Sequence, residues 1–485
     1  VVWSPDEEQS FPTDFGIDQL LFTTDDPVGP VPSGYTIVDL DETPFVFYKK
    51  PRPSLTLYEG DVAVNDYSSM TYSEAFDALW EKASIEYPFS EMKAINWRGL
   101  YEEFAPRVAL AQSSDNYQAW YLAMRDFAWS IPDGHVGLSG DDGGLFLQQA
   151  GGGLGLGLTQ LDDGRVITHY LTQKGPAQNA GIELGAELLA INGIPIAEAA
   201  AAVVPWSSPF SSEHVLRLQQ YRYLTRGKLR DTVEIVWNNP DASEPQTATL
   251  HFQNERDSFA ATSLYYGFDR NAPPVEYKIL EDSGYGYVRI WDLADDLNLI
   301  IRLFERAVIV FRDNHVPGVI LDLRQNLGGS PMGTDLASYF TEESVEVSRG
   351  YYFSEGLGRF DTHGPPSKIE PNTDIHYNGP VAVLIGPACA SACEHVAWVF
   401  DQLPQVRVVG QYPSNGIMGE VGRGQYKLPD GLSFQIPTGM ELDMDGNIIV
   451  EGTGVVPDVK VPVSEETVFS EGDPVLDFSV EALTP

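Results

Sequence analysis

The C-terminal half of the chain carries short apolar runs separated by stretches with helical spacing. Gly318-Val319-Ile320-Leu321-Asp322-Leu323 and Val381-Ala382-Val383-Leu384-Ile385 read as buried strands. Gly284–Ile290 and Val406–Val409 read as further strands, and helical patterns fit about 294–313 and 332–341. Strands alternating with helices predict an α/β layer fold with its ligand site at strand ends. Upstream the period changes. Thr71-Tyr72-Ser73-Glu74 is a capping box, followed by Phe76, Leu79, Trp80 and Ala83 at helical spacing. Two more helices fit about 96–111 and 115–130, and this block ends at Ile131-Pro132-Asp133-Gly134-His135.

Between these regions lies a glycine-rich turn, Gly151 to Gly157, and the strand-like runs Thr232–Trp237 and Thr247–Phe252. They predict a compact β-rich module with one or two helices. The opening residues are rich in Pro and Asp, with β-like runs at Tyr35–Val38 and Pro44–Tyr48. The expected organisation is an extended, β-rich segment 1–62, a helical bundle 63–145, the β-rich module 146–255 and an α/β core 256–485.

Composition narrows the partners. With 485 residues, 43% hydrophobic and 21% charged, the chain has the make-up of a multi-domain globular protein. A net charge of -40 argues against nucleic acid or anionic membrane as a partner and suits a secreted protein that must stay soluble. No run of about 18 apolar residues predicts a membrane-spanning helix. The start Val1-Val2-Trp3 carries no visible leader, so a signal peptide removed upstream remains compatible with a secreted, periplasmic or cell-surface location. Two cysteines, Cys389 and Cys393, exclude a disulfide scaffold or a Cys-rich zinc site. A bridge between them would close a very short loop, so free, mostly buried thiols are expected.

Those cysteines flank Ser391, which sits among small residues between the run 381–385 and the helical pattern Glu394–Phe400. A serine there is placed as a nucleophile. Small neighbours admit a carbonyl, and the helix N-terminus offers free N–H groups to an oxyanion. The N–H of Ala392 is one such donor. Gly328-Gly329, in the turn after strand 318–323, supply others. A serine needs a base, and His135, on a loop at a Pro-Asp-Gly break, is the candidate. His395 follows Ser391 too closely and is expected to anchor the helix. Glu451 is a carboxylate able to orient an imidazole, although composition alone cannot choose it among 70 acidic residues.

Together these motifs resemble the C-terminal processing (tail-specific) peptidases and the related tricorn core protease, over about 66–463. Asp322-Leu323-Arg324-Gln325-Asn326-Leu327-Gly328-Gly329 is similar to the family's Asp-Leu-Arg-x-Asn-x-Gly-Gly signature, and Ser391-Ala392-Cys393-Glu394 to its Ser-Ala-x-Glu segment. The resemblance implies a crotonase-like α/β catalytic core, an N-terminal helical bundle and an inserted PDZ-like domain. Its peptide-binding loop would be Gly153, Leu154, Gly155 and Leu156. It implies a serine peptidase acting on peptide or unfolded protein near C-termini, with no metal or cofactor. Processing peptidases of the Ser–Lys type carry a lysine about 25 residues after the serine. Here Gly410–Gly419 contains none, and Lys427 lies beyond it. The tricorn-like branch uses a histidine and a glutamate at positions matching His135 and Glu451. Its serine before the histidine is Gly134 here, so the link from Glu451 to His135 is direct, through water or through another hydroxyl. In the PDZ-like segment the usual Gly-Asp is Gly185-Ala186. The same resemblance extends to retinoid-binding modules, which carry apolar ligands without catalysis. A cysteine hydrolase using Cys389 or Cys393 is a third reading.

Overall fold

The computed structural model describes residues 2–17, 21–49, 65–269, 272–362 and 364–484. The chain separates into two units, Val1–Ala63 and Val64–Pro485. The expected boundary at 62/63 lies outside the described residues. In the first unit, Val2–Ser4, Gly34–Asp39 and Val46–Tyr48 form an antiparallel sheet, with a smaller ladder of Ser10–Pro12 on Val28–Pro30.

The second unit opens with three helices, α1 (Tyr72–Glu86), α2 (Trp97–Ser113) and α3 (Tyr117–Trp129). Thr71 caps α1 in the expected box: the Thr71 N–H donates to Glu74 Oε2 at 3.0 Å and the Glu74 N–H to Thr71 Oγ1 at 3.4 Å. Phe76, Leu79, Phe104, Val108, Trp120 and Phe127 are buried in one core. That core also takes Tyr426, Leu428, Phe434 and Ile436 from the far end of the sequence. The reason is a ladder. Gly137–Ser139, just after His135, pairs antiparallel with Ser433–Gln435, which pairs with Gln425–Lys427. The N-terminal helices are thereby stapled to the C-terminal region.

Residues 152–251 form an antiparallel sheet in the order Gln246–His251, Thr232–Asn238, Glu187–Ile191, Val166–Leu171, Leu156–Gln160. Helix Glu213–Leu224 packs near the last of these strands. Ile235, Trp237, Leu188, Val166 and Tyr221 fill the space between.

The remaining sheet has six strands in the order Val275–Ile279, Gly286–Ile290, Val319–Asp322, Val381–Leu384, Val406–Gly410, Val459–Lys460. The first pair is antiparallel and the others are parallel. All residues of Val319–Asp322 and Val381–Leu384 are buried, as their unbroken apolar runs require. Helices Leu297–Asp313 and Ala392–Asp401 cover one face through Phe304, Phe311, Val396 and Phe400. Pro474–Leu483 covers the other through Val475 and Leu483. Val319–Asp322 and Val381–Leu384 are parallel neighbours, so the loops leaving them emerge at one edge of the sheet.

Candidate active site

Ser391 stands at that edge, as the N-cap of helix Ala392–Asp401. Its backbone sits at φ 58° and ψ -122°, a conformation that costs a residue with a side chain about 1–3 kcal/mol. Surrounding contacts hold it there. The Ser391 N–H donates to the Ile417 carbonyl at 3.1 Å and to Glu394 Oε2 at 3.2 Å. Cys389 and Cys393 are joined by a disulfide across the same turn, with Cα atoms 5.4 Å apart. This corrects the expectation of free thiols. The chain winds into the helix here, and positions four apart stack on one face.

The second loop of that edge carries the glycine pair. Gly328 and Gly329 have φ of 93° and 137°. A Cβ on Gly328 would stand 2.6 Å from the Ala390 carbonyl oxygen and 3.0 Å from both Ser391 Cβ and Ala392 N. The turn therefore lies directly against Ser391. Asn326, fully buried, shapes it: its Nδ2 donates to the Ile290 carbonyl at 3.0 Å, and its Oδ1 accepts the Gly328 N–H at 2.8 Å. The Gly328 N–H is thus engaged, which corrects its place among the oxyanion donors. Gly329 and Ala392 remain as candidates, the latter in the first turn of a helix, where N–H groups lack intrahelical partners. Asp322 and Arg324 lock the strand end below. Arg324 Nη2 donates to Asp322 Oδ2 at 2.6 Å, and Nη1 and Nη2 both reach Asp473 at 2.7 Å. The signature residues before the glycines are therefore structural supports.

His135 arrives from the other side, held by the ladder after it. Its N–H donates to Asp133 Oδ1 at 2.8 Å, and Gln435 Nε2 donates to its carbonyl at 2.9 Å. The imidazole is half-buried beside the Gly419 backbone, and its covered Nδ1 has no partner among the described residues. Burial lowers its pKa below 6.5; Asp133 pulls it back up and the Lys93 charge pushes it further down.

Glu451 is buried, but it does not support His135 directly. Its Oε1 is 2.5 Å from Lys93 Nζ, and its Oε2 accepts the Met418 N–H at 2.9 Å. Burial and the Asp133 charge push its pKa up, while Lys93 holds it down. Of the links left open between Glu451 and His135, a direct hydrogen bond to Nδ1 is not made among the described residues, and Glu451 pairs with Lys93 instead. Three consecutive residues thus collect the three candidates: Ile417 takes the Ser391 N–H, Met418 donates to Glu451, and Gly419 lies beside the His135 ring. This strip ends the segment Gly410–Gly419 that lacks the family's lysine.

Two site residues carried no assigned role in the sequence. Glu394, fully buried, accepts Ser414 Oγ at 2.5 Å and the N–H groups of Gly416 and Ile417 at 2.6 and 2.8 Å. Its position, three after Ser391, was the available signal. Lys93 had none, since a lone lysine between two helices reads as surface. His395 lies with its Nε2 3.8 Å from Glu441 Oε2, placing helix Ala392–Asp401 beside strand Gly439–Asp443. In the glycine-rich turn, the Gly153 N–H donates to the Gln253 carbonyl at 2.8 Å and the Leu154 N–H to Thr225 at 3.2 Å. These two are therefore not free to bind a chain terminus, which corrects that expectation and leaves the Gly155–Leu156 end. Among the described residues, no group of three His, Cys, Asp or Glu could hold a metal ion, and no helix is long and apolar enough to cross a membrane.

Residues 284–461 match Peptidase family S41, and residues 70–119 match the Tricorn protease C1 domain. A carboxyl-terminal-processing protease of Picosynechococcus sp. is 24% identical over 393 residues, covering 79% of this chain and 81% of that protein. Carboxyl-terminal-processing peptidase 2, chloroplastic, of Arabidopsis thaliana is 24% identical over 325 residues, or 65% of this chain. The match spans about half of that relative, 54% of its length. Among solved structures, mature CPAF superposes with a TM-score of 0.59 at 14% identity, over 82% of this chain and 94% of that one. Mature CPAF complexed with lactacystin gives 0.58 at 14%, over 82% and 95%. These structures share the fold. The matched S41 segment contains Gly328, Gly329, Ser391 and Glu451, whereas His135 lies beyond both matched segments. Residues 284–461 thus carry the features of peptidase family S41, and the chain is similar over most of its length to peptidases of carboxyl-terminal processing.

Proposed function

We propose that the chain hydrolyses peptide bonds of peptides or unfolded proteins with Ser391 as nucleophile and His135 as base. The observation that carries this reading is the strip Ile417–Gly419, which touches Ser391, the Glu451 carboxylate and the His135 ring in turn. Ser391 Oγ adds to the scissile carbonyl carbon while His135 takes its proton. The N–H groups of Gly329 and Ala392 receive the oxyanion. His135 then protonates the leaving amine, and water releases the acyl group from Ser391 by the same steps in reverse.

In this reading residues 63–145 are the helical bundle that delivers the base, 146–255 a PDZ-like insertion and 256–485 a crotonase-like core. Leu156–Gln160 ends the order of its sheet, which suits addition of an extended peptide strand. A cavity of about 900 Å³ lies between Gln160–Asp162 and helix Glu213–Leu224, and it reaches Tyr412 and Gly452, neighbours of Ser414 and Glu451. Its lining includes Asp162, Glu213, His214, Arg217 and Gln220, a surface for peptide groups. Leu161, Leu216, Leu218, Tyr221 and Tyr412 line the same cavity, so its wall is mixed polar and apolar. The disulfide fits an oxidising compartment outside the cytosol.

The test is labelling with a serine-reactive fluorophosphonate and mapping of the modified residue. Modification at Ser391, absent in Ser391→Ala, is expected. Modification of another residue, or of none, overturns the assignment.

A further inference from the structure

Lys93 is the buried cation of the site. Its side chain is 6% exposed, and those of its partners Asp133 and Glu451 are fully covered. Nζ lies 2.5 Å from Glu451 Oε1 and 3.2 Å from Asp133 Oδ2. It also donates to the Pro132 carbonyl at 2.9 Å and to Ser211 Oγ at 3.4 Å. Asp133 in turn accepts the Tyr87 hydroxyl at 2.7 Å and the His135 N–H at 2.8 Å. One ammonium therefore spans from the glutamate to the turn that bears the base.

A side chain at position 134 could not make this connection. A Cβ there would stand 2.4 Å from Ile417 Cγ2. Instead the Gly134 N–H donates to Ser211 Oγ at 3.0 Å. We infer that Lys93 is the positioning residue through which Glu451 acts on His135, in the place left by a missing hydroxyl at 134. This rests on the reading of Ser391 and His135 as nucleophile and base.

Charge supports the assignment. Asp133 and Lys93 are the charged groups that act on the His135 ring, and Glu451 and Tyr87 reach it through them. Asp133 favours the imidazolium that forms when Ser391 loses its proton, while Lys93 holds Asp133 and Glu451 together beside it. Lys93 stands between two carboxylates that would otherwise face each other out of water.

The experiment follows the rate of fluorophosphonate labelling of Ser391 against pH, which needs no knowledge of the substrate. Lys93→Met is expected to slow labelling at least tenfold and to move the base limb up by about one pH unit, because a cation beside the imidazole is gone. Lys93→Arg should restore most of the rate. The double variant Lys93→Met with Glu451→Gln should label no more slowly than Lys93→Met alone, since the two act as one unit. A folded Lys93→Met protein with wild-type rate and limb, or losses that multiply in the double variant, would overturn the inference. Should Lys93→Met not fold, Glu451→Gln decides. Its limb must move to lower pH, because the Lys93 charge is then balanced by Asp133 alone, and an unmoved limb counts against the proposal. No labelling of wild-type Ser391 at all would instead sink the nucleophile assignment, and the role of Lys93 with it.

Discussion

The Ser391 N–H donates to Glu394 Oε2 at 3.2 Å across the first turn of helix Ala392–Asp401. The same carboxylate gathers Ser414, Gly416 and Ile417, so one buried side chain holds both the serine and the strip beside it. Burial pushes its pKa up to about 8, against the pull of these donors. In Glu394→Gln, the new NH₂ must face an N–H wherever it points, at a cost of about 1–3 kcal/mol. We expect kcat to fall at least tenfold. The pH dependence of Tm should also change. The folded protein keeps this proton above 4.5, the ordinary carboxyl value, so wild-type stability declines as pH rises from there towards 8. Glu394→Gln should flatten that decline, and thermal melts across the window check it. An undiminished kcat would show that Ser391 is held by its other contacts alone.

Ser391→Ala should abolish hydrolysis by several orders of magnitude. Both residues bear a Cβ at the same positive φ, so the backbone cost is shared and Tm should stay within about 2 °C. Turnover near wild type in a clean preparation would remove Ser391 from the mechanism.

His135 acts as a base only when neutral. Its pKa is lowered, chiefly by burial, so kcat/KM should rise through a limb below 6.5 and be level at neutral pH. His135→Ala should be inactive. Lys427 sits exposed on strand Gln425–Lys427, 3.7 Å from Asp66, so Lys427→Ala should retain activity within about twofold. A limb near that of an amine, or a folded but dead Lys427→Ala protein, would point to a Ser–Lys dyad.

Gly328→Ala tests the turn beside the nucleophile. The added methyl meets the Ala390 carbonyl, Ser391 Cβ and Ala392 N at a φ of 93°. Loss of about 1–3 kcal/mol of stability is expected from the backbone alone. A fall in kcat larger than the rise in KM should accompany it, because the methyl displaces Ala392 N, the proposed oxyanion donor. Denaturant melts and steady-state kinetics read the two effects separately. Unchanged kcat would mean that the turn does not face the reacting carbonyl.

Much of the local structure was legible in the chain because its cause is local. Apolar runs without alternation gave Val319–Asp322 and Val381–Leu384, helical spacing gave α1 to α3, and both turns of the site showed as small residues after a strand. Ser391 and the glycine pair were found this way, since a tight approach at a strand end demands those residue types wherever the rest of the chain goes. The electrostatics were not legible. Which carboxylate meets which cation depends on packing between segments far apart in sequence, and no period records it. Lys93 meets Glu451 only because Gly137–Ser139 pairs with Ser433–Gln435 and draws the helical block onto the C-terminal region. The same long-range closure engaged the N–H groups of Gly153 and Leu154 with Gln253 and Thr225. Composition and spacing thus determined the elements and the turn that bears Ser391, and tertiary packing decided which groups stand beside it, because backbone donors and buried charges take whichever partners the fold brings within reach.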